Sequence, residues 1–299
     1  MAGQPGIGAP APNGIRDDAV PVVPKIRLLS CRDTSCRIAV QNGAGVFLLM
    51  EIVMESETRL APYFTFGNMV VGKANEQACA ASIRVADHPG EPSHNPLFIH
   101  GEAGLGKTHL IHAIGNRIVE RFPEKIVRYV HTEDYHSDFL KAYKTNSFDA
   151  FRCRYRSLDV LLLGGIHFSS GRIRMQEEFL FVFNALIKAK KQVVITCDTY
   201  PRKVPGLEDR LVSHSDGGLT VCVRPPEFEM RKAILREMAE VMGIALDDEL
   251  TSYIAERLRR DVLELEGALM KIAAYASFCN RKIDLALPKE ALKDLLPHV

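Results

Sequence analysis

A glycine-rich octapeptide at residues 101–108 constrains the fold of this chain more than any other feature. It reads Gly-Glu-Ala-Gly-Leu-Gly-Lys-Thr, which is the spacing G-x-x-x-x-G-K-T of a phosphate-binding loop. The apolar residues 97–100 before it predict a strand, and residues 109–122 after it predict a helix. A simple glycine-rich turn is the alternative. The flanking strand and helix favour a phosphate site, because inward-turned backbone N–H groups and a helix N-terminus attract anions.

The octapeptide predicts ATP or ADP as ligand, with Mg²⁺ as its metal ion. Lys107 is expected to neutralise the β- and γ-phosphates, and Thr108 to place its hydroxyl on Mg²⁺. The residues expected to contact nucleotide in this part of the chain are Gly101, Glu102, Ala103, Gly104, Leu105, Gly106, Lys107, Thr108 and His109.

Apolar runs and helical stretches alternate regularly from residue 63 onward. The apolar runs cover residues 96–100, 126–131, 160–163, 192–196 and 219–223. Continuous apolar strands separated by helices predict an α/β fold with a parallel sheet covered by helices. After Pro225-Pro226 the pattern changes to helices alone, near residues 229–243, 248–258 and 262–280 and from Pro288. This change predicts a small all-helical lid domain after a proline hinge.

The chain therefore divides into four predicted parts. We expect a disordered arm over residues 1–25, because its proline and glycine content leaves little apolar surface to bury. Residues 26–60 form an unassigned segment, in which the apolar run Val46–Met50 fits a strand or a short helix. An α/β nucleotide-binding domain over residues 61–225 and the helical lid over residues 226–299 complete the chain.

Composition limits which partners and which cellular compartment are expected for this chain. The 38 Lys+Arg and 37 Asp+Glu residues nearly cancel, so contact with nucleic acid requires a local basic patch. Seven scattered cysteines without a C-x-x-C pair predict free thiols in a reducing compartment. The N-terminus does not resemble a secretory signal, and no apolar stretch approaches the ~20 residues that span a bilayer. We expect a soluble cytoplasmic protein.

Hydrolysis of ATP needs an acidic pair at the end of a second strand, where one Asp holds Mg²⁺ and a neighbouring carboxylate orients water. The candidate strand, residues 160–163, is followed by Gly164-Gly165 instead. Asp159 precedes this strand and is expected at its opposite end, while Glu177-Glu178 fall in the following helix. The pattern favours nucleotide binding over turnover, so enzymatic activity is uncertain.

Further blocks identify a family. Residues 63–296 resemble the ATPase region of the bacterial replication initiator DnaA and shorter relatives such as Hda, members of the AAA+ class. Besides the phosphate loop, the blocks that carry the resemblance are Phe64-Thr65-Phe66, Val70-Val71-Gly72-Lys73, Asn95-Pro96-Leu97-Phe98-Ile99, residues 154–162, Gln176-Glu177-Glu178-Phe179, Phe183-Asn184-Ala185-Leu186, Leu207-Glu208-Asp209-Arg210-Leu211, Arg224-Pro225-Pro226 and Leu265-Glu266-Gly267-Ala268-Leu269.

The resemblance implies roles for residues outside the phosphate loop. Val70, Val71 and Gly72 match the segment that packs on adenine. Asp198 matches the polar sensor near the γ-phosphate. The family's paired aspartates fall at Gly164-Gly165.

Two family arginines are also replaced. The arginine that reaches a neighbouring subunit's nucleotide falls at His214, and the second-sensor arginine of the lid falls at Leu263. Arg210 remains as a cation offered to a neighbour or as a partner of its own acidic neighbours. These replacements imply a protein that binds ATP or ADP and hydrolyses it weakly or not at all. A DNA-stimulated ATPase using Glu102 or Glu133, a vestigial nucleotide-free adaptor and a decaying or truncated copy are the alternatives.

The resemblance also implies partners. His136, Arg172 and Arg174 match positions that contact single-stranded DNA, although a solvated basic loop explains them equally well. DnaA-like AAA+ subunits, either further copies of this chain or a full-length initiator, are the expected protein partners in control of replication initiation. The chain ends at Val299 before the helix-turn-helix domain of the initiator, so no reading of duplex DNA is expected.

Overall fold

The computed structural model describes residues 58–283 and 286–293 and, before them, the backbone of three short strands. These strands pair antiparallel in chain order as β1 (Lys25–Leu29), β2 (Arg37–Gln41) and β3 (Phe47–Glu51). Residues 47–50 of the apolar run for which strand and helix were both possible thus belong to a strand. Of the arm predicted to be disordered, residues 1–24 lie outside the described residues.

A second sheet of five parallel strands forms the centre of the molecule. Its strands lie in the order β5-β6-β7-β4-β8, and the predicted α/β fold is confirmed. The strands are β4 (Leu97–His100), β5 (Val127–His131), β6 (Val160–Gly164), β7 (Gln192–Cys197) and β8 (Leu219–Cys222).

Helices cover both faces of this sheet, and further helices follow it. The first six are α1 (Glu76–Asp87), α2 (Lys107–Arg121), α3 (Thr132–Thr145), α4 (Phe148–Arg156), α5 (Ile173–Lys188) and α6 (Asp209–Gly217). The last four are α7 (Phe228–Met242), α8 (Asp248–Arg257), α9 (Val262–Cys279) and α10 (Ala286–Ala291).

The alternation of side chains along β6 divides the core into two layers. Leu161 and Leu163 pack into one apolar cluster with α3, α4 and α5. Val160 and Leu162 pack into a second cluster with α1 and α2 on the opposite face. Successive side chains of a strand point to opposite faces, so a strand covered on both sides must be apolar throughout.

The four C-terminal helices enclose a core of their own. Arg231 ties this lid to the preceding linker, because its buried guanidinium donates to the carbonyl oxygens of Pro226 (2.6 Å) and Ala255 (2.8 Å). Ala74, from the segment before α1, also packs into the lid core. Within the described part of the chain, no helix combines the length and the apolar character needed to cross a membrane.

Candidate nucleotide-binding site

Parallel strands bring the predicted site residues to one edge of the sheet, because all carboxyl ends of the strands point there. The Gly101 N–H donates to the Cys197 carbonyl (3.2 Å), which places the phosphate loop beside Asp198. The Gly165 N–H donates to the Thr196 hydroxyl (3.0 Å), which holds the glycine pair at the same edge of the sheet.

Left-handed glycines shape the phosphate loop. Gly104 has φ +77° and Gly106 has φ +92°, a backbone region that residues other than glycine rarely adopt. Gly106 is the N-cap of α2, and no side chain among the described residues caps this helix start. The first N–H groups of α2 are therefore not used by a capping side chain and remain suited to an anion.

The loop also touches the lid directly. The Val262 N–H, at the start of α9, donates to the Gly104 carbonyl (3.0 Å). A Cβ atom placed on Gly104 would lie 2.9 Å from the Asp261 carboxylate. Asp261 in turn caps α9 by accepting from the Glu264 N–H (2.8 Å), so the lid position and the loop shape are linked.

Lys107 is buried, and its ammonium group is satisfied within the protein. Its Nζ donates to the carbonyl oxygens of Gly101 and Glu102, each at 2.6 Å, and lies 2.9 Å from Asp198 Oδ1. A lysine ammonium has three N–H donors, and these three acceptors can take all of them. A phosphate must therefore displace at least one of these partners to reach Lys107.

Asp198 links Lys107 to His167. Its Oδ2 lies 3.2 Å from His167 Nε2, and its backbone N–H donates to His167 Nδ1 at 3.3 Å. Because Nδ1 accepts, the proton of the neutral ring belongs on Nε2, which faces the carboxylate. Burial lowers the pKa of His167, while the Asp198 charge acts in the opposite direction.

A cavity of about 370 Å³ lies between the loop, the sheet edge and the lid. It is lined by seven predicted site residues, namely Ala103, Gly104, Gly106, Lys107, Thr108, His109 and Asp198. Its lining also includes residues that the sequence reasoning did not assign to the nucleotide, among them Phe64, Tyr129, His131, His167, Met238 and Glu266.

Two of these unassigned residues fill the space beside the glycine pair. A Cβ atom on Gly164 would lie 2.5 Å from the Tyr129 hydroxyl, and one on Gly165 would lie 3.0 Å from His131 Nε2. Gly165 also has φ +72°. Tyr129 and His131 end β5, the strand that pairs with β6, so two neighbouring strand ends complement each other. The signal available in the sequence was that Tyr129 and His131 alternate with Val130 at the end of the apolar run 126–131.

Two of the three residues predicted to pack on adenine lie against the lid instead of lining this cavity. Val70 packs on the lid core, and a Cβ atom on Gly72 would lie 2.8 Å from the Met230 sulfur. Val71 is exposed. None of these three belongs to the described lining of the cavity, and their contact with adenine stays a prediction.

No cation is found at the two positions that the family resemblance assigns to arginines. The His214 ring packs 4.7 Å from the Phe183 ring, and burial lowers the pKa of His214. Leu263 lines the cavity. Arg210 is exposed near the start of α6. Asp159 accepts from the Ile126 N–H (3.0 Å) at the opposite end of β6 from the glycine pair, as predicted.

The three residues predicted to contact DNA come together on another surface. His136, Arg172 and Arg174 line one open cavity of about 560 Å³, with Ile173 between the arginines. One terminal nitrogen of Arg172 is buried without a hydrogen-bond partner among the described residues. Burial and then the charge of Arg172 lower the pKa of His136.

Comparison with known proteins places the chain in a family. Residues 60–222 match the bacterial DnaA ATPase domain. The chromosomal replication initiator protein DnaA of Dechloromonas aromatica is 61% identical over 243 residues, which cover 81% of this chain and 52% of that protein. DnaA of Azoarcus sp. is 55% identical over 240 residues, covering 80% of this chain and 50% of that protein. The chain thus spans about half the length of these curated relatives.

Solved structures agree with this match. Domain III of DnaA from Thermotoga maritima superposes with a TM-score of 0.77 at 37% identity, covering 81% of this chain and all of that one. A replication initiator DnaA bound to AMPPCP and single-stranded DNA superposes with a TM-score of 0.65 at 30% identity, covering 78% of this chain and 81% of that one. The matched sequence, the sheet order and the phosphate loop agree, and the chain therefore belongs to the bacterial DnaA family.

Proposed function

We propose that this chain binds ATP or ADP at residues 101–108 and acts in the cytoplasm in chromosomal replication initiation or its control. The observation that carries the proposal is the buried ammonium of Lys107 at the uncapped start of α2, in a cavity that residues of the lid help to line. A helix N-terminus and a lysine together neutralise a diphosphate. The relative bound to AMPPCP shows that a DnaA protein with a similar fold takes a nucleotide.

Hydrolysis is proposed to be weak or absent. An acidic pair at the end of β6 would have to be at positions 164 and 165, which are glycines. The side chains of Tyr129 and His131 lie in the space that side chains at these two positions would enter. His214 and Leu263 supply no charge to a transition state at neutral pH, although such a cation accelerates phosphoryl transfer by several orders of magnitude.

The cavity does not fit a resident Mg²⁺. Mg²⁺ prefers an octahedron of oxygen ligands and is usually held by one or two carboxylates together with phosphates. Thr108 supplies one hydroxyl, but the Asp198 carboxylate is bound by Lys107 and His167. Glu266, the remaining carboxylate among the described lining residues, belongs to the lid.

Single-stranded DNA and other DnaA-like AAA+ subunits are the proposed partners. The groove of His136, Arg172 and Arg174 supports the first, because two arginines and a histidine line one open cavity, and cations in a groove contact the phosphates of a single strand. The second is supported by the relationship to replication initiators, and the exposed Arg210 stays the candidate cation for a neighbouring subunit.

A nucleotide-free adaptor is the second candidate. The three internal acceptors of Lys107 favour it, because they satisfy the ammonium without any ligand. In that case the phosphate loop would hold the lid through the hydrogen bond from Val262 to Gly104.

Titration with fluorescently labelled ADP and ATP separates these candidates. We expect micromolar binding by the natural protein, loss of binding in Lys107→Ala, and unchanged binding in Lys125→Ala, which removes a half-buried lysine beside Phe122 that does not line the cavity. Absence of binding by the natural protein would favour the adaptor. Steady-state phosphate release then measures turnover, which we expect to stay near the level of Lys107→Ala.

A further inference from the structure

The phosphate end of the cavity is lined by imidazoles where metal-binding carboxylates would be needed. His131 stands at the end of β5 and His167 just after β6, and both line the cavity with Lys107. A histidine side chain offers N–H donors to an anion, whereas Mg²⁺ takes oxygen ligands. The lining thus suits a bare phosphate better than a phosphate that carries Mg²⁺.

Backbone groups orient both rings in the same sense. The Glu133 N–H donates to His131 Nδ1 at 3.4 Å, and the Asp198 N–H donates to His167 Nδ1 at 3.3 Å. In His167 the proton of the neutral ring belongs on Nε2, because Nδ1 accepts and Nε2 faces Asp198 Oδ2. In His131 the contact with the Glu133 N–H favours the same tautomer, while the Glu133 carboxylate, 3.7 Å from Nδ1, favours the other. With the proton on Nε2, each ring offers a hydrogen-bond donor to an anion in the cavity.

One of these donors lies beside the glycine pair, and the other lies beside Asp198. A Cβ atom on Gly165 would lie 3.0 Å from His131 Nε2 and 2.9 Å from a Phe168 ring carbon, so these two rings fill the space that an aspartate there would enter. His167 Nε2 lies 3.2 Å from Asp198 Oδ2, on the oxygen that does not bind Lys107. A phosphate that displaces the Asp198 carboxylate would meet Lys107 and His167 together.

We propose that the site binds ADP or ATP as the metal-free anion, with the Nε2–H groups of His131 and His167 holding the terminal phosphate beside Lys107. This inference rests on the proposed nucleotide binding and states which form of the nucleotide is bound. The two imidazoles then stabilise the phosphate charge that a metal ion would otherwise balance. Hydrogen bonds to a charged partner are the stronger kind, so each ring contributes measurably to affinity.

The experiment is a titration of the full chain with labelled ADP and ATP, once with excess Mg²⁺ and once with EDTA. We expect dissociation constants that agree within about twofold between the two conditions. His131→Ala and His167→Ala should each weaken binding in EDTA by about tenfold, the effect of one hydrogen bond to a charged group. His167→Gln keeps an N–H donor and should recover part of this loss. His88→Ala, which removes an exposed histidine beyond α1, should bind as the natural protein does.

The outcomes separate this inference from the proposed function. Binding that appears only with Mg²⁺ would overturn the inference and leave the nucleotide site standing. Equal binding in both conditions with unchanged histidine variants would overturn the role of the two rings. Absence of binding in both conditions would remove the proposed function together with the inference. Circular dichroism of each variant shows whether a loss of binding reflects a loss of fold.

Discussion

Asp198 competes with the nucleotide for the phosphate-loop lysine, and Asp198→Asn should therefore tighten binding of ADP. Its Oδ1 lies 2.9 Å from Lys107 Nζ. Two unit charges at this distance attract by about 1.4 kcal/mol in a medium as polarisable as water. The Asp198 side chain is 41% exposed, so screening by water applies, and exposed ion pairs contribute up to ~1 kcal/mol. Removing this competition should tighten ADP binding about fivefold.

ADP is the appropriate ligand, because the family resemblance assigns Asp198 to the γ-phosphate that ADP lacks. The assay is a titration with labelled ADP at low and at high salt, and the difference from the natural protein should shrink at high salt. Asp149→Asn removes the same charge from a fully exposed position on α4 and serves as the control. Unchanged or weaker ADP binding by Asp198→Asn would refute the argument that the carboxylate restrains Lys107.

Two further predictions concern stability. Gly104→Ala should lower the free energy of unfolding by about 1–3 kcal/mol, because φ is +77° and the new Cβ would lie 2.9 Å from the Asp261 carboxylate. Gly267→Ala, in α9 with open space around its Cβ position, should raise the free energy of unfolding by up to about 1 kcal/mol. Urea unfolding that ranked the two variants in the opposite order would contradict this prediction. Burial lowers the pKa of His112 from 6.5 to about 4. As the pH falls, the unfolded chain therefore takes up this proton before the folded chain does, and the free energy of unfolding should fall by about 2 kcal/mol between about pH 7 and pH 5. His112→Asn keeps an acceptor for the Ala61 N–H and should flatten this dependence in urea unfolding at the two pH values; an equal slope in the variant would assign the acid sensitivity to other groups.

The elements of the sheet domain and the lid were predictable, because each carries a local signal. The apolar runs that predicted β4 to β8 and the helical patterns after Pro225-Pro226 lie within two residues of the observed bounds. A phosphate loop between a strand and a helix was equally local, since its glycines, lysine and threonine are contiguous. The apolar run at Val46–Met50 was ambiguous because five residues do not separate the two periodicities, and residues 47–50 of it form a strand by pairing with β2.

The surroundings of Gly164-Gly165 were not predictable from the sequence. Comparison with the family pattern showed two missing aspartates, which indicated a loss of function. Only the register of β5 against β6 shows that Tyr129 and His131 occupy the same space. The pairing of Asp198 with Lys107, about ninety positions apart in the chain, likewise depends on β7 and β4 being neighbours.

By itself the sequence determined the α/β class, the order of the helices and strands, and the position of a phosphate-binding loop, because hydrophobic periodicity and glycine spacing act over a few neighbouring residues. The tertiary structure alone decided which side chains face the phosphates. It brought the ends of β4, β5, β6 and β7 to one edge and so placed Lys107 in one cavity with Asp198, His131 and His167. The physical reason is that contacts between strand ends depend on sheet order and register, which distant parts of the chain set together.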